Sequence, residues 1–291
     1  MGRAADKNAV DVMNLQLMSM LDHLNPDGGM PYAPGMPSFS EPTLLTILAF
    51  VAAGEAPRAQ APVEWAIRNR NADGSIGLNR EFPDEGKWNT PLLAMAMHHI
   101  GRTAERDAAL HHILQSRSLT FRRSAENDLD TQLTGWPWVA QTFGWVEPTS
   151  WALLALRLAG KDNHPRALEG RRFLEDRCIP EGGWNYGNKV LFNNTLMPFW
   201  DTTALALLAL GESNTSLANK NLDLLERTLP EMRSLSTCAL VCLCLALHGR
   251  GTDELRRRIQ AIQAEPEGDS LNLAHSAMGW IALSQRKVLT P

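Results

Sequence analysis

Four ionisable side chains recur in one kind of place along this sequence. Glu41 and Glu147 stand two residues before a Thr in Glu41-Pro42-Thr43 and Glu147-Pro148-Thr149, Asp201 directly precedes Thr202, and His275 directly precedes Ser276. Each marked Thr or Ser opens a run of apolar residues, so each group stands at the mouth of something oily. A carboxyl group in such a place loses hydration, which disfavours its charged form and raises its pKa toward the range of a general acid. A charged carboxylate there can instead stabilise a cation. Asp201 is the first choice for acid chemistry, with Glu41, Glu147 and His275 beside it. The competing reading is helix capping, in which an acid accepts orphan N–H groups and opposes the helix dipole, stabilising by ~1 kcal/mol. The same stretches carry Tyr32, Trp88, Trp136, Trp138, Trp184, Tyr186 and Trp200. Aromatic faces suit an apolar ligand or a developing positive charge, and Trp200 and Trp138 are the first choices for that role. The other use of a Trp in a repeated glycine loop is as a wedge between helices.

The elements that must hold these groups are repeated. From Trp200, Asp201-Thr202-Thr203 leads into Ala204 to Leu210, apolar on every side as a buried helix is, and Gly211 is a natural stop. Before it runs a glycine-rich aromatic loop, Glu181 to Gly187. The same order recurs around Thr43, Thr90 and Thr149, and more weakly around Thr237 and Ser276. Between the copies lie amphipathic stretches with helical spacing, the first from Val10 to Leu21 and others such as Leu217 to Leu225. No alternating run of β-branched residues predicts a sheet. Six copies at uneven spacing with no break in composition predict one repeat domain over 1–291. Outer helix, aromatic loop and inner helix, six times over, close into an all-α double ring, an α6/α6 toroid. All inner helices then start on one rim.

Composition excludes several classes of function. With 44% hydrophobic and 21% charged residues the chain is that of a globular protein, and a net charge of -4 gives no electrostatic case for nucleic acid. No apolar run reaches the ~18 residues of a transmembrane segment. The opening residues lack the apolar core of a signal peptide, which places the expected location in the cytoplasm. Of the four cysteines, Cys238, Cys242 and Cys244 share one apolar run with Cys178 apart, a pattern of buried thiols rather than a disulfide framework. No phosphate-cradling loop is present.

The Gly-Gly-Trp loops followed by Asp/Glu-x-Thr and an Ala/Leu run resemble the repeats of the squalene cyclase and protein prenyltransferase β-subunit family. Pro198-Phe199-Trp200-Asp201-Thr202 is similar to a Pro-x-Trp-Asp-Thr segment of the hopene cyclases. The resemblance implies the toroid and an apolar, isoprenoid-type ligand for a cyclase-like enzyme. It departs at the place of the cyclases' Asp-x-Asp-Asp acid, where this chain reads Arg233-Ser234-Leu235-Ser236-Thr237-Cys238; Asn127-Asp128-Leu129-Asp130-Thr131 lies elsewhere and reads as a solvated loop. The prenyltransferase comparison puts Cys238 and His275 on zinc-ligand positions, with Asp201, Asp269 or Cys242 to complete the three ligands of a catalytic site. A non-catalytic toroid binding an isoprenoid or a partner protein is the alternative, and no cofactor is otherwise expected. Toroids with acidic, aromatic rims also cleave polysaccharides, which needs carboxylates facing each other across a cleft.

Overall fold

A computed structural model describes residues 17–122, 128–191, 194–212, 215–265, 268–284 and 286–291. Of the first amphipathic stretch only residues 17–21 fall within that description, and residues 17–19 end a helix. Six inner helices follow in chain order, namely α1 (Ser40–Ala53), α3 (Thr90–His99), α5 (Val146–Leu158), α7 (Trp200–Leu210), α9 (Leu235–Leu247) and α11 (Leu273–Leu283). Between them run the outer helices α2 (Gln60–Arg68), α4 (Thr103–Gln115), α6 (Pro165–Arg177), α8 (Ser216–Thr228) and α10 (Asp253–Gln263).

The two sets differ because their sequences do. Every residue of α7 from Thr202 to Leu210 is buried, whereas α10 buries only Leu255 and Ile259. Ala and Leu dominate the inner helices, which gives high helix propensity and no polar face to hydrate. Gly54 ends α1 in the left-handed conformation at φ 82°, where a Cβ would be strained. Each inner helix packs on the next, α1 on α3, α3 on α5, α5 on α7, α7 on α9 and α9 on α11, and α11 packs on α1. The ring is therefore closed, and the all-α toroid is the fold. No described helix is long and apolar enough to cross a membrane.

One clamp is repeated at the loop of each clear copy. Phe39 N–H donates to Met30 O, Trp145 N–H to Trp136 O and Phe199 N–H to Trp184 O. The N–H of the same loop residue donates to a helix threonine: Met30 to Thr43 Oγ1 at 2.8 Å, Trp136 to Thr149 Oγ1 at 2.8 Å and Trp184 to Thr203 Oγ1 at 2.9 Å. In the second copy Ile76 N–H reaches Thr90 Oγ1 at 3.2 Å. The fourth copy is thus registered by Thr203, not by Thr202 as the sequence alone suggests, because it is the Thr203 hydroxyl that meets the loop. The correction matters: it puts Asp201 two residues before the clamp, level with Glu41 and Glu147. Replacing Thr203 by Val strands a buried Trp184 N–H and is expected to destabilise the protein by about 1–3 kcal/mol in denaturant unfolding, against under about 1 kcal/mol for Thr202→Val. Equal effects from the two variants would refute this register.

Loops also join neighbouring copies. The first N–H of α1 donates to Leu78 O, that of α5 to Tyr186 O and that of α11 to Tyr32 O. In each case the loop of the next copy supplies the acceptor, and the last bond closes the circle. Orphan donors at these helix starts are thereby satisfied by main chain. Against the expectation of no strand, Val190–Leu191 pairs antiparallel with Asn194–Thr195 in the loop of the fourth copy.

Candidate active site

Glu41, Glu147 and Asp201 are each the second residue of their inner helix, in α1, α5 and α7. At the corresponding point of the second copy stands Trp88, two residues before Thr90, and α9 has Ser236 there. Placed so near a helix start, the three acids are poised to cap. The N-cap residues Phe39, Trp145 and Phe199 are extended and give no side-chain capping bond, and among the described residues neither Glu41 nor Glu147 is bonded to a helix N–H. Asp201 does accept one: the Thr202 N–H donates to its Oδ1 at 2.8 Å, with the Thr202 hydroxyl at 3.4 Å. With the first N–H of α1 and of α5 served by the adjoining loops, the Glu41 and Glu147 carboxyls are released from capping.

Their electrostatics shows the convergence. Burial raises the pKa of Glu147 most, the charges of Glu41 and Asp201 add to the rise, and a hydrogen bond from Trp151 opposes it; the result is about 8. Burial likewise raises Glu41, partly offset by the Tyr32 hydroxyl that donates to Glu41 Oε2 in a short bond and by the charge of His275. The Tyr32 hydroxyl is pushed well up from its ordinary value by burial and then by Glu41 and Glu147. Glu41, Glu147, Asp201 and His275 are all half-buried, retaining some solvent access amid protein, as groups in an open mouth do. The structure therefore brings together all four ionisable residues picked from the sequence, and Tyr32 with them. Sequence reasoning missed Trp151, although it lies four residues along the helix from Glu147, the spacing that stacks side chains on one face.

The aromatics divide. Trp184 is 0% exposed and donates its indole N–H to Leu174 O at 2.7 Å. Trp136 is 4% exposed, donates to Ile113 O at 2.9 Å and lies under the Arg166 guanidinium, 3.4 Å from ring centroid. Both tie a loop to the carbonyl of an outer helix; Trp184, fully buried, is a wedge rather than the ligand face expected of it, while Trp136 also lends its ring to the wall of a cavity between the second and third copies. Trp88 and Trp138 meet edge to face at 4.5 Å, and Tyr186 lies 4.8 Å from Phe199 with 53% of its surface exposed. Trp200, half-buried, opens α7 beside Asp201.

The zinc reading fails on placement. Cys238 is fully buried within α9 while His275 sits at the mouth, and among the described residues no three His, Cys, Asp or Glu side chains are grouped to hold a metal ion. Cys242, buried beside it, has its thiol pushed up to about 11 by desolvation, which disfavours the thiolate a metal needs; the Asp269 side chain lies outside the described residues. In the Asp-rich stretch Asn127 is likewise outside them, while Asp128 pairs with Lys189 at 3.4 Å and Asp130 N–H donates to Asp176 at 3.1 Å. That loop is held by structural pairs.

No protein-family model matches the sequence, and no curated protein matches it. Solved structures do. An α-amylase from Clostridium perfringens superposes over 92% of this chain and 96% of its own, at 10% identity and TM-score 0.66. A reducing-end-xylose releasing exo-oligoxylanase covers 98% and 95% at 11% identity and TM-score 0.62. A family 8 glycosyl hydrolase, an endoglucanase from Klebsiella pneumoniae, covers 92% and 98% at 14% identity and TM-score 0.59. At these identities the likeness is one of fold. The expected assignment to terpenoid cyclases and prenyltransferases, with its isoprenoid ligand, is overturned by it: these three similar structures are glycosidases, and the Gly-Gly-Trp and Asp-Thr-Thr-Ala signals belong to the way a helical ring is clamped together.

Proposed function

We propose that this protein is a glycoside hydrolase whose acid is Glu147 and whose partner carboxylate is Asp201. The observation that carries the reading is a carboxyl group with a pKa of about 8 crowded by two other carboxylates. Cleavage of a glycosidic bond requires one carboxyl group that keeps its proton and a second carboxyl group beside it. Similarity of fold to an amylase, a xylanase and an endoglucanase agrees with it.

In the reaction the Glu147 carboxyl gives its proton to the glycosidic oxygen as the bond from C1 to that oxygen breaks. The Asp201 carboxylate faces the positive charge growing on C1, and water supplies the hydroxyl that ends there and the proton that restores Glu147. Whether Asp201 bonds to C1 itself or takes the proton of the attacking water is read from the anomeric configuration of the first-formed sugar. Glu41 works through Glu147, its charge keeping that proton in place, and Tyr32 holds Glu41 by its hydroxyl. Since these groups come from α1, α5, α7 and the loop before α1, the toroid acts as one unit.

Incubation with malto-, xylo- and cello-oligosaccharides, followed by counting new reducing ends, tests the proposal. Release from one of the three series, lost when Glu147 becomes Gln, is the expected result. Release by the Gln variant at the parent's rate would remove the acid from the mechanism.

A further inference from the structure

The second copy breaks the pattern of acids at the mouth. Where the first, third and fourth copies carry Glu41, Glu147 and Asp201, it carries Trp88, and beside Trp88 a cavity of about 330 Å³ opens between the second and third copies. That volume lies in the range of small-molecule sites. Pro148, the residue after Glu147, is part of its wall, so the cavity adjoins the acid cluster. Trp88 and Trp138 line it, fixed against each other at a 70° interplanar angle. The polar side of the lining includes Gln115, Ser116, Arg117 and Gln141.

Two of these residues carry more than their position. Gln141 has φ 61°, the one non-glycine residue with positive φ among the described residues. Gly35, at the same point of the first loop, has φ 85°, so the turn calls for a left-handed residue there, and Gln141 occupies it with a long polar side chain where the first copy has none. Gln141 stands in the cavity wall. Arg117 is exposed, and its guanidinium donates to the main-chain carbonyls of Leu114 at 2.6 Å and Ser116 at 2.9 Å, which hold it at the cavity. Paired indoles next to amide groups and a held guanidinium fit a ligand with an apolar face of C–H bonds and an edge of hydroxyl groups. A sugar ring is such a ligand.

Resting on the hydrolase reading above, we infer that this cavity is a binding subsite for a sugar ring of an oligosaccharide, apart from the ring whose bond is cleaved. The substrate is then a chain rather than a monosaccharide derivative, and Trp88, Trp138 and Gln141 set how far along the chain the enzyme grips.

Binding tests this without turnover. Titration calorimetry of the full chain carrying Glu147→Gln, with oligosaccharides of two to six units from the series the enzyme cleaves, or from all three series if it cleaves none, is expected to show affinity rising with length. Adding Trp138→Ala should weaken the longer ligands about tenfold or more and leave the shortest nearly unchanged, as loss of a buried aromatic anchor does. Gln141→Gly relieves the strained φ, so it is expected to melt no lower than its parent while still weakening the long ligands. Binding that does not depend on length, or that survives both substitutions intact, overturns the subsite while leaving hydrolysis untouched; no binding in any series overturns it as well. Hydrolysis that fails while length-dependent, Trp138-dependent binding persists sinks the catalytic reading alone.

Discussion

Replacing Glu147 by Gln is expected to lower turnover by about 1,000-fold and to make the protein more stable. The first effect is the loss of the proton donor, for which positioned acids commonly contribute 100- to 10,000-fold, roughly. The second follows from what holds the proton. The group's pKa stands at about 8 in the folded chain, against an ordinary 4.5. Between those two values the unfolded chain has given up a proton that the folded chain keeps, so stability falls as pH rises through the window and levels off above about 8. Glutamine has nearly the same shape and no charge to desolvate. At pH 8 the variant should exceed the parent by on the order of 2 kcal/mol in denaturant unfolding, with the gap closing as pH falls below 4.5, where Glu147 becomes neutral in both states. A gap that fails to widen from pH 5 to pH 8 would mean that burial of this carboxyl carries no penalty. Stability set against activity in this way is typical of catalytic groups.

Asp201→Asn is expected to have the next largest effect, and it separates two roles of one charge. As the carboxylate that meets the cation at C1, Asp201 should account for a further loss of about 100-fold or more. As a neighbour of Glu147 it raises that group's pKa by its charge. With Asn in its place the residual activity should therefore lose its alkaline limb at lower pH than the parent's, which lies near 8. Glu41→Gln moves the limb in the same direction but should retain much more turnover, since Glu41 acts through Glu147. A limb that stays put in both variants would show that the three carboxyls do not feel one another.

Much of this arrangement was legible in the residues. Ala204 to Leu210, apolar on every side, has to be buried, and six such runs with polar-faced partners have few ways to close other than a ring. Glu41, Glu147, Asp201 and His275 were identifiable because each precedes such a run by a residue or two. What the residues do not disclose is whether an acid at a helix start caps it. That depended on Leu78, Tyr186 and Tyr32, whose carbonyls reach the starts of α1, α5 and α11 from loops far along the chain. The register of the fourth copy was hidden by two adjacent threonines, and only the bond from Trp184 N–H to Thr203 decides between them. Trp184 reads as a ligand face until it is seen fully buried with its indole N–H on a helix carbonyl. The error about substrate has a physical origin as well. The motifs that resemble terpenoid cyclases are the clamp itself, and a clamp reports how the ring is built, not what enters it.

Following the carboxyl carbon of Glu147 by NMR across the pH range tests the central claim most directly, because that claim is a proton held by crowding at the mouth of the ring. The carbon is expected to titrate near pH 8 in the parent and at lower pH in Asp201→Asn. A midpoint close to the ordinary 4.5 in the parent would mean that Glu147 is charged at neutral pH and that no acid stands ready there.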